Sequence, residues 1–186
     1  MDQTSASLLQ RLRGPADDGA WARFVELYTP LLFDWARGVG LQEADAADLV
    51  QDVLTHLLRV LPEFHYDSGR SFRAWLRTVT LNRWRAGLRK RAAQPVIDAA
   101  ADPDEVPAEA EAFWEADYRR HLTGRALALI QAEFQPATWK AFWECVVSGR
   151  GAAEVGQELG LKPGAVRAAK FRVLCRLRQE LDGLLD

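Results

Sequence analysis

Large apolar residues recur at intervals of three and four along nearly the whole of this 186-residue chain, without a convincing run of period-two alternation. That spacing selects helices, because side chains three and four apart share a helical face whereas strand side chains alternate. Leu8, Leu9 and Leu12 mark a short first helix that Gly14-Pro15 ends. Asp17 or Asp18 is placed to cap a second, in which Trp21, Phe24, Val25, Tyr28, Leu31, Leu32 and Trp35 keep the spacing. Pro30 falls inside that pattern; its missing N–H and bulky ring predict a bend or a split. A third helix is expected from about Glu43 to Leu61, where Leu49, Val50, Val53, Leu54, Leu57, Leu58 and Leu61 form one broad apolar stripe closed by Pro62. Ser71 is placed to cap a fourth, with Phe72, Trp75, Leu76 and Val79 on its buried side.

Residues 92–112 break the pattern. They are rich in Ala, Pro and acid, with Pro95, Pro103 and Pro107 and few large apolar groups. Such a segment buries too little surface to offset its ordering entropy, so it reads as a linker. Helical spacing resumes near Phe113 and runs to about Glu133, then over Ala137–Ser148, Ala152–Leu159 and Pro163–Leu181. The expected architecture is all-α: two small helical domains, 1–91 and 113–186, joined by the acidic linker 92–112.

The net charge of −2 argues against a polyanionic partner until its distribution is considered. Eight basic residues and no acid lie between Arg70 and Arg91, and six more basic residues without an acid lie between Lys162 and Arg178. Between Asp98 and Asp117 eight acidic residues stand without a base. Separated blocks of opposite sign predict two surfaces that face polyanions and a segment kept off them. No apolar run is long enough for a membrane span, and Met1–Arg13 lacks the pattern of a secretory signal. Cys145 and Cys175 lie in helical segments without metal-ligand spacing, which suits a reducing cytoplasm. His56, His65 and His121 join no catalytic or metal-spaced set, and no phosphate-cradling glycine loop is present. No enzymatic activity, metal or cofactor is expected.

The segment from Glu154 to Val166 has helix-turn-helix spacing. Gly156 stands where two helices cross closely, and Gly160 can take the left-handed conformation that ends the first of them. Leu161 plugs the turn, Pro163 opens the second helix, and Val166 faces the core. Val166, Ala169, Val173, Leu177 and Leu181 then point inward. Arg167, Lys170, Phe171 and Arg172 are left for a DNA groove, where an arginine bonding guanine with two hydrogen bonds contributes about 1–3 kcal/mol of discrimination.

Two segments in the first half narrow this. Asp48, Gln51 and Asp52 lie at i, i+3 and i+4 on a face opposite the leucine stripe, an acidic and amide-bearing ridge suited to a basic partner helix. In the fourth helix, Phe72-Arg-Ala-Trp75-Leu76 precedes Asn82 and a basic cluster. Basic residues there can hold a phosphate backbone, and bases extruded from a duplex need a pocket to receive them.

In that order the motifs resemble the sigma-70 family of RNA polymerase sigma factors, specifically the extracytoplasmic-function group, over about residues 5–91 and 113–182. The resemblance implies a sigma-2-like helical bundle and a sigma-4-like helix-turn-helix domain. It implies that Asp48, Gln51 and Asp52 meet the coiled coil of the polymerase's largest subunit. Asn82 becomes the base-reading candidate at the minus-ten element, with Arg83, Trp84, Arg85, Arg89, Lys90 and Arg91 beside it. Arg167, Lys170, Phe171 and Arg172 become the minus-thirty-five readers. Implied partners are polymerase core, including the flap of its second-largest subunit, promoter DNA and an anti-sigma factor. Two departures stand out: Ala86-Gly87 where the family often has an acid after the asparagine, and Ala168-Ala169 where many members have Ser-Arg. The competing reading is a stand-alone helix-turn-helix regulator that binds its operator without polymerase core.

Overall fold

The computed structural model describes residues 7–13, 17–64, 72–92 and 112–185, with backbone alone for 91, 92, 115 and 116. The expected Gly14-Pro15 stop, the Ser71 cap and residues 93–111 of the linker lie outside these. The described residues are helical throughout: α1 Leu8–Arg13, α2 Asp18–Gly38, α3 Glu43–Val60, α4 Phe72–Ala92, a π-helical turn Phe113–Asp117, α5 Tyr118–Ile130, a short 3-10 turn Gln131–Glu133, α6 Pro136–Val146, α7 Ala152–Leu159 and α8 Pro163–Leu181. None is long and apolar enough to cross a membrane. The described residues divide into two compact units, 7–122 with 183–185, and 123–182.

In the first unit Asp17 caps α2, its carboxylate accepting from the Ala20 N–H at 2.8 Å. The Arg11 guanidinium, 2.9 Å away, and this backbone donor hold the carboxyl below its usual range. Pro30 does not split the helix, contrary to one of the two outcomes its position predicts: α2 is continuous from Asp18 to Gly38. The reason is burial of the flanking face. Leu27, Tyr28, Leu31 and Leu32 are each at most 1% exposed, and burying each such side chain stabilises by about 1.5–3 kcal/mol. Together they outweigh the roughly 3 kcal/mol an interior proline costs.

The α3 stripe is wider than the face it buries. Val50, Val53 and Leu57 are in the core, whereas Leu58 is 54% exposed. Leu54 and Leu58 instead line a groove of 380 Å³ between α2 and α3, with Trp21, Val25, Phe33 and Gln51 also on its walls.

Residues 113–122 were expected to open the second domain, yet they belong to the first compact unit. Trp114, Tyr118 and Leu122 are buried there at 2% exposure or less. Arg73 donates to the Trp114 carbonyl at 2.9 Å. The Tyr118 hydroxyl donates to the Leu184 carbonyl at 2.8 Å and stands 3.0 Å from the Tyr28 hydroxyl, so Tyr28 is the donor between the two rings.

In the second unit α6, α7 and α8 pack around Ala141, Val155, Val166 and Ala169. A second cluster joins Ile130, Phe142 and Val173. Gly160 has φ +65°, the left-handed conformation that ends α7. At Gly156 the backbones approach so closely that an added Cβ would stand 2.6 Å from the Leu161 carbonyl oxygen. That oxygen belongs to the turn itself and cannot swing aside. Gly156→Ala is therefore expected to destabilise the protein by about 1–3 kcal/mol, the usual cost of overpacking. Urea unfolding followed by circular dichroism measures it, and an unchanged midpoint would contradict the close approach.

Candidate nucleic-acid and partner interface

The α8 surface follows from its buried side. Val166, Ala169 and Val173 are fixed in the core, so the opposite positions face outward. Arg167, Lys170, Phe171 and Arg172 are all exposed, Phe171 at 69%. Arg167, Phe171, Leu174 and Arg178 stand at i, i+4, i+7 and i+11 and form one line along the helix. Leu174 and Arg178, both exposed, are candidates that the sequence reading passed over, although the same spacing from Phe171 reveals them.

Not every cation of the basic block is on that surface. Arg176 turns inward and pairs with Glu133 at 2.7 Å and with Glu180, itself 4% exposed, at 2.7 Å. Arg150, a residue the sequence reading also passed over, joins Glu144 at 3.0 Å, Glu154 at 2.8 Å and Glu158 at 2.6 Å. These hydrogen bonds push its pKa further above the arginine range. Glu158 is held below the carboxylate range by Lys140 first and by Arg150 second. The cluster ties the end of α6 and the turn after it to α7, the first helix of the helix-turn-helix.

In the first unit α3 and α4 pack side by side. Asp48, Gln51 and Asp52 are exposed on α3 as their spacing requires. They look onto two different grooves. Gln51 borders the apolar one between α2 and α3. Asp48 and Asp52 line a charged cleft of 470 Å³ between α3 and α4, with Asp45 on the same wall and Arg83 and Lys90 on the opposite one. Arg83 reaches across: its guanidinium is 3.8 Å from the Asp52 carboxylate and 2.6 Å from Nδ1 of His56.

On α4, Asn82, Arg89 and Lys90 are exposed and Arg85 is half-buried. The side chain of Arg91 lies outside the described residues. Trp84 is a correction. Expected among the minus-ten contacts, it is 3% exposed and packs edge-on against Trp35, ring centroids 6.1 Å apart. The buried stripe of α4 does not stop at Val79 but continues through Phe72, Leu76, Thr80 and Trp84 at intervals of four. Thr80 disguises it: its hydroxyl donates to the Leu76 carbonyl at 2.9 Å, which lets a polar side chain sit at 1% exposure. Trp75 is half-buried against Phe64, with ring centroids 4.5 Å apart.

His56, the partner of Arg83 on α3, carries a shifted titration. Desolvation, and then the Arg83 cation, lower its pKa below the ordinary imidazole value, with Asp52 opposing. A neutral ring leaves Nδ1 free to accept from Arg83. Among the described residues no cluster of histidine, cysteine or carboxylate side chains could hold a metal ion.

This is a helical protein with a helix-turn-helix whose second helix presents cations and an aromatic ring, and with a second cationic helix beside an acidic one. That combination fits the class of DNA-binding proteins with a second, protein-facing surface. The sigma-70 region 2 family model matches residues 24–94. Over 133 residues the chain is 32% identical to the ECF RNA polymerase sigma factor ShbA of Streptomyces griseus, covering 70% of this chain and 69% of that one. It is 27% identical over 176 residues to the ECF RNA polymerase sigma factor RpoE of Cereibacter sphaeroides, covering 95% and 94%. With the ECF RNA polymerase sigma factor SigE of Mycolicibacterium smegmatis it shares 27% over 162 residues, covering 87% and 62%. The chain belongs to the ECF sigma factors of the sigma-70 family, and its function is to direct transcription initiation.

Two outcomes follow from the cleft. Trp84→Ala should cost about 3–5 kcal/mol of stability in urea unfolding, whereas Asn82→Ala should stay within about 0.5 kcal/mol; equal, small losses would return Trp84 to the surface. Because the folded His56 pKa is depressed, the unfolded chain binds its proton first, so the contribution is intact above about pH 6.5 and is lost as pH falls toward the folded value. The unfolding temperature should therefore drop more steeply between about pH 7 and about pH 5 in the parent than in His56→Gln. Parallel curves would contradict the half-buried, neutral ring.

Proposed function

We propose that this chain binds RNA polymerase core through the Asp48, Gln51 and Asp52 ridge of α3 and reads promoter DNA with two separate helices. In this reading α8 enters the major groove of the minus-thirty-five element with Arg167, Lys170, Phe171 and Arg172. The solvent-facing side of α4, with Asn82, Arg89 and Lys90 exposed and Arg85 half-buried, receives melted minus-ten bases and their phosphates. Residues 93–112 lie between α4 and residues 113–122, which pack with the first unit, so the two functions are joined beyond Leu122. The polypeptide supplies recognition and melting, performs no catalysis itself and works in the cytoplasm with the polymerase.

The observation that carries this reading is the division of labour in exposed charge. Anionic groups lie outward on α3, whereas cations and aromatic or amide groups lie outward on α4 and α8. An acidic ridge is repelled by DNA and suits a basic protein helix; cations beside Asn82 and Phe171 suit a nucleic acid. Membership of the sigma family supports the polymerase reading over a stand-alone regulator.

Mutations should separate the two roles. Asp52→Arg is expected to weaken association with polymerase core about 30-fold or more, the cost of reversing a charge in an interface, while leaving the fold intact. Arg167→Ala is expected to lower transcription from cognate promoters by about 5- to 150-fold, one base-reading arginine, with core binding unchanged. Co-purification with core and run-off transcription measure the two effects. Parental co-purification by Asp52→Arg would remove the interface assignment.

A further inference from the structure

We propose that Arg83 is a masked DNA contact, held against α3 by Asp52 and His56 and released when a cation of the polymerase core takes its place on Asp52. This rests on the reading of α3 as the core-facing helix and α4 as a DNA-facing one. If the two surfaces were independent, no side chain of one would pair with a side chain of the other. Here one does: the Arg83 guanidinium lies 3.8 Å from the Asp52 carboxylate and 2.6 Å from the His56 ring. A DNA phosphate and Asp52 compete for the same donors, since a guanidinium aimed into the α3–α4 cleft cannot also face a backbone outside it. A basic group of the polymerase and Arg83 compete in turn for the same carboxylate.

The strength of the pair decides whether such a mask can work. The Arg83 and Asp52 side chains are 35% and 55% exposed, so their attraction is screened and worth a factor of about two to five. A permanent structural bridge would need to be stronger; a mask must yield to a partner. The effect is reciprocal: whatever factor core docking on Asp52 adds to DNA affinity at Arg83, DNA adds to core affinity. The chain alone is thereby biased against the minus-ten strand, and the bias is removed by the partner that makes initiation productive.

The test uses the full chain without polymerase. A short fluorescent single-stranded DNA of mixed sequence is titrated into the parent, Asp52→Asn, Arg83→Ala and the double variant over a series of salt concentrations. Asp48→Asn, on the same cleft wall, reports the general effect of removing one negative charge. Asp52→Asn is expected to bind about two- to fivefold more tightly than the parent, with a salt dependence steeper by about 0.7 in log–log slope, one more phosphate neutralised on a single strand. In the Arg83→Ala background the gain should shrink to that given by Asp48→Asn. Arg83→Gln replaces Arg83→Ala should the latter lose its helical spectrum. An equal gain with and without Arg83, no gain, or no measurable binding by either parent or Asp52→Asn at low salt would overturn the mask. Core plays no part in this titration, so its failure leaves the α3 interface standing. Retention of core by Asp52→Arg would remove that interface and leave the titration interpretable.

Discussion

The edge-on contact between Trp35 of α2 and Trp84 of α4 sets the rotation of α4. A helix has one angular degree of freedom about its axis, and a buried tryptophan removes it. With Trp84 at 3% exposure and Phe72 and Leu76 at 0%, the remaining face of α4 is committed to solvent. Asn82, Arg89 and Lys90 occupy that face because they have nowhere else to go. Trp114 joins the same cluster from the π-helical turn, 6.3 Å from Trp35 between centroids. The indole nitrogens of all three tryptophans are buried without an acceptor among the described residues. Aromatic burial is thus maintained at the expense of three polar groups, and the rotational setting of α4 is what that expense secures.

The carboxy-terminal unit solves the same problem with backbone instead of aromatics. Contact between Gly156 and the Leu161 carbonyl brings α7 onto the turn, and the left-handed Gly160 directs the chain into α8. Val166 then locks the rotation of α8 and leaves Arg167, Lys170, Phe171 and Arg172 outside. The Arg150 cluster braces the first helix of the motif from its exposed side. In both units the functional groups are placed by exclusion, and the residues that place them touch no nucleic acid in the proposed reading.

Legibility in the sequence followed the range of the interactions. The helix-turn-helix was readable because its requirements are local: small residues at Gly156 and Gly160, an apolar plug at Leu161, proline at Pro163 and a core-facing Val166. The acidic ridge of α3 was readable from helical spacing alone. Trp84 was misjudged because its burial depends on Thr80, whose polarity breaks the apolar pattern until its hydrogen bond to the preceding turn is seen. Residues 113–122 were grouped with the second half because nothing local shows that Tyr118 will meet Tyr28, 90 positions away in sequence. Arg176 and Arg83 were counted as cations available to DNA, since their partners Glu133 and Asp52 become neighbours only after folding. Charge blocks count residues; they do not count what folding has already neutralised.

In the proposed reading promoter recognition arises from an assembly rather than from the chain alone. Run-off transcription with purified, sigma-free core enzyme on a library of genomic promoter fragments tests this most directly. Discrete start sites should appear only when the chain is added, with no tight promoter binding by the chain in the absence of core. Tight, specific binding by the isolated chain together with no start-site selection by the mixture would contradict it and leave an operator-binding regulator.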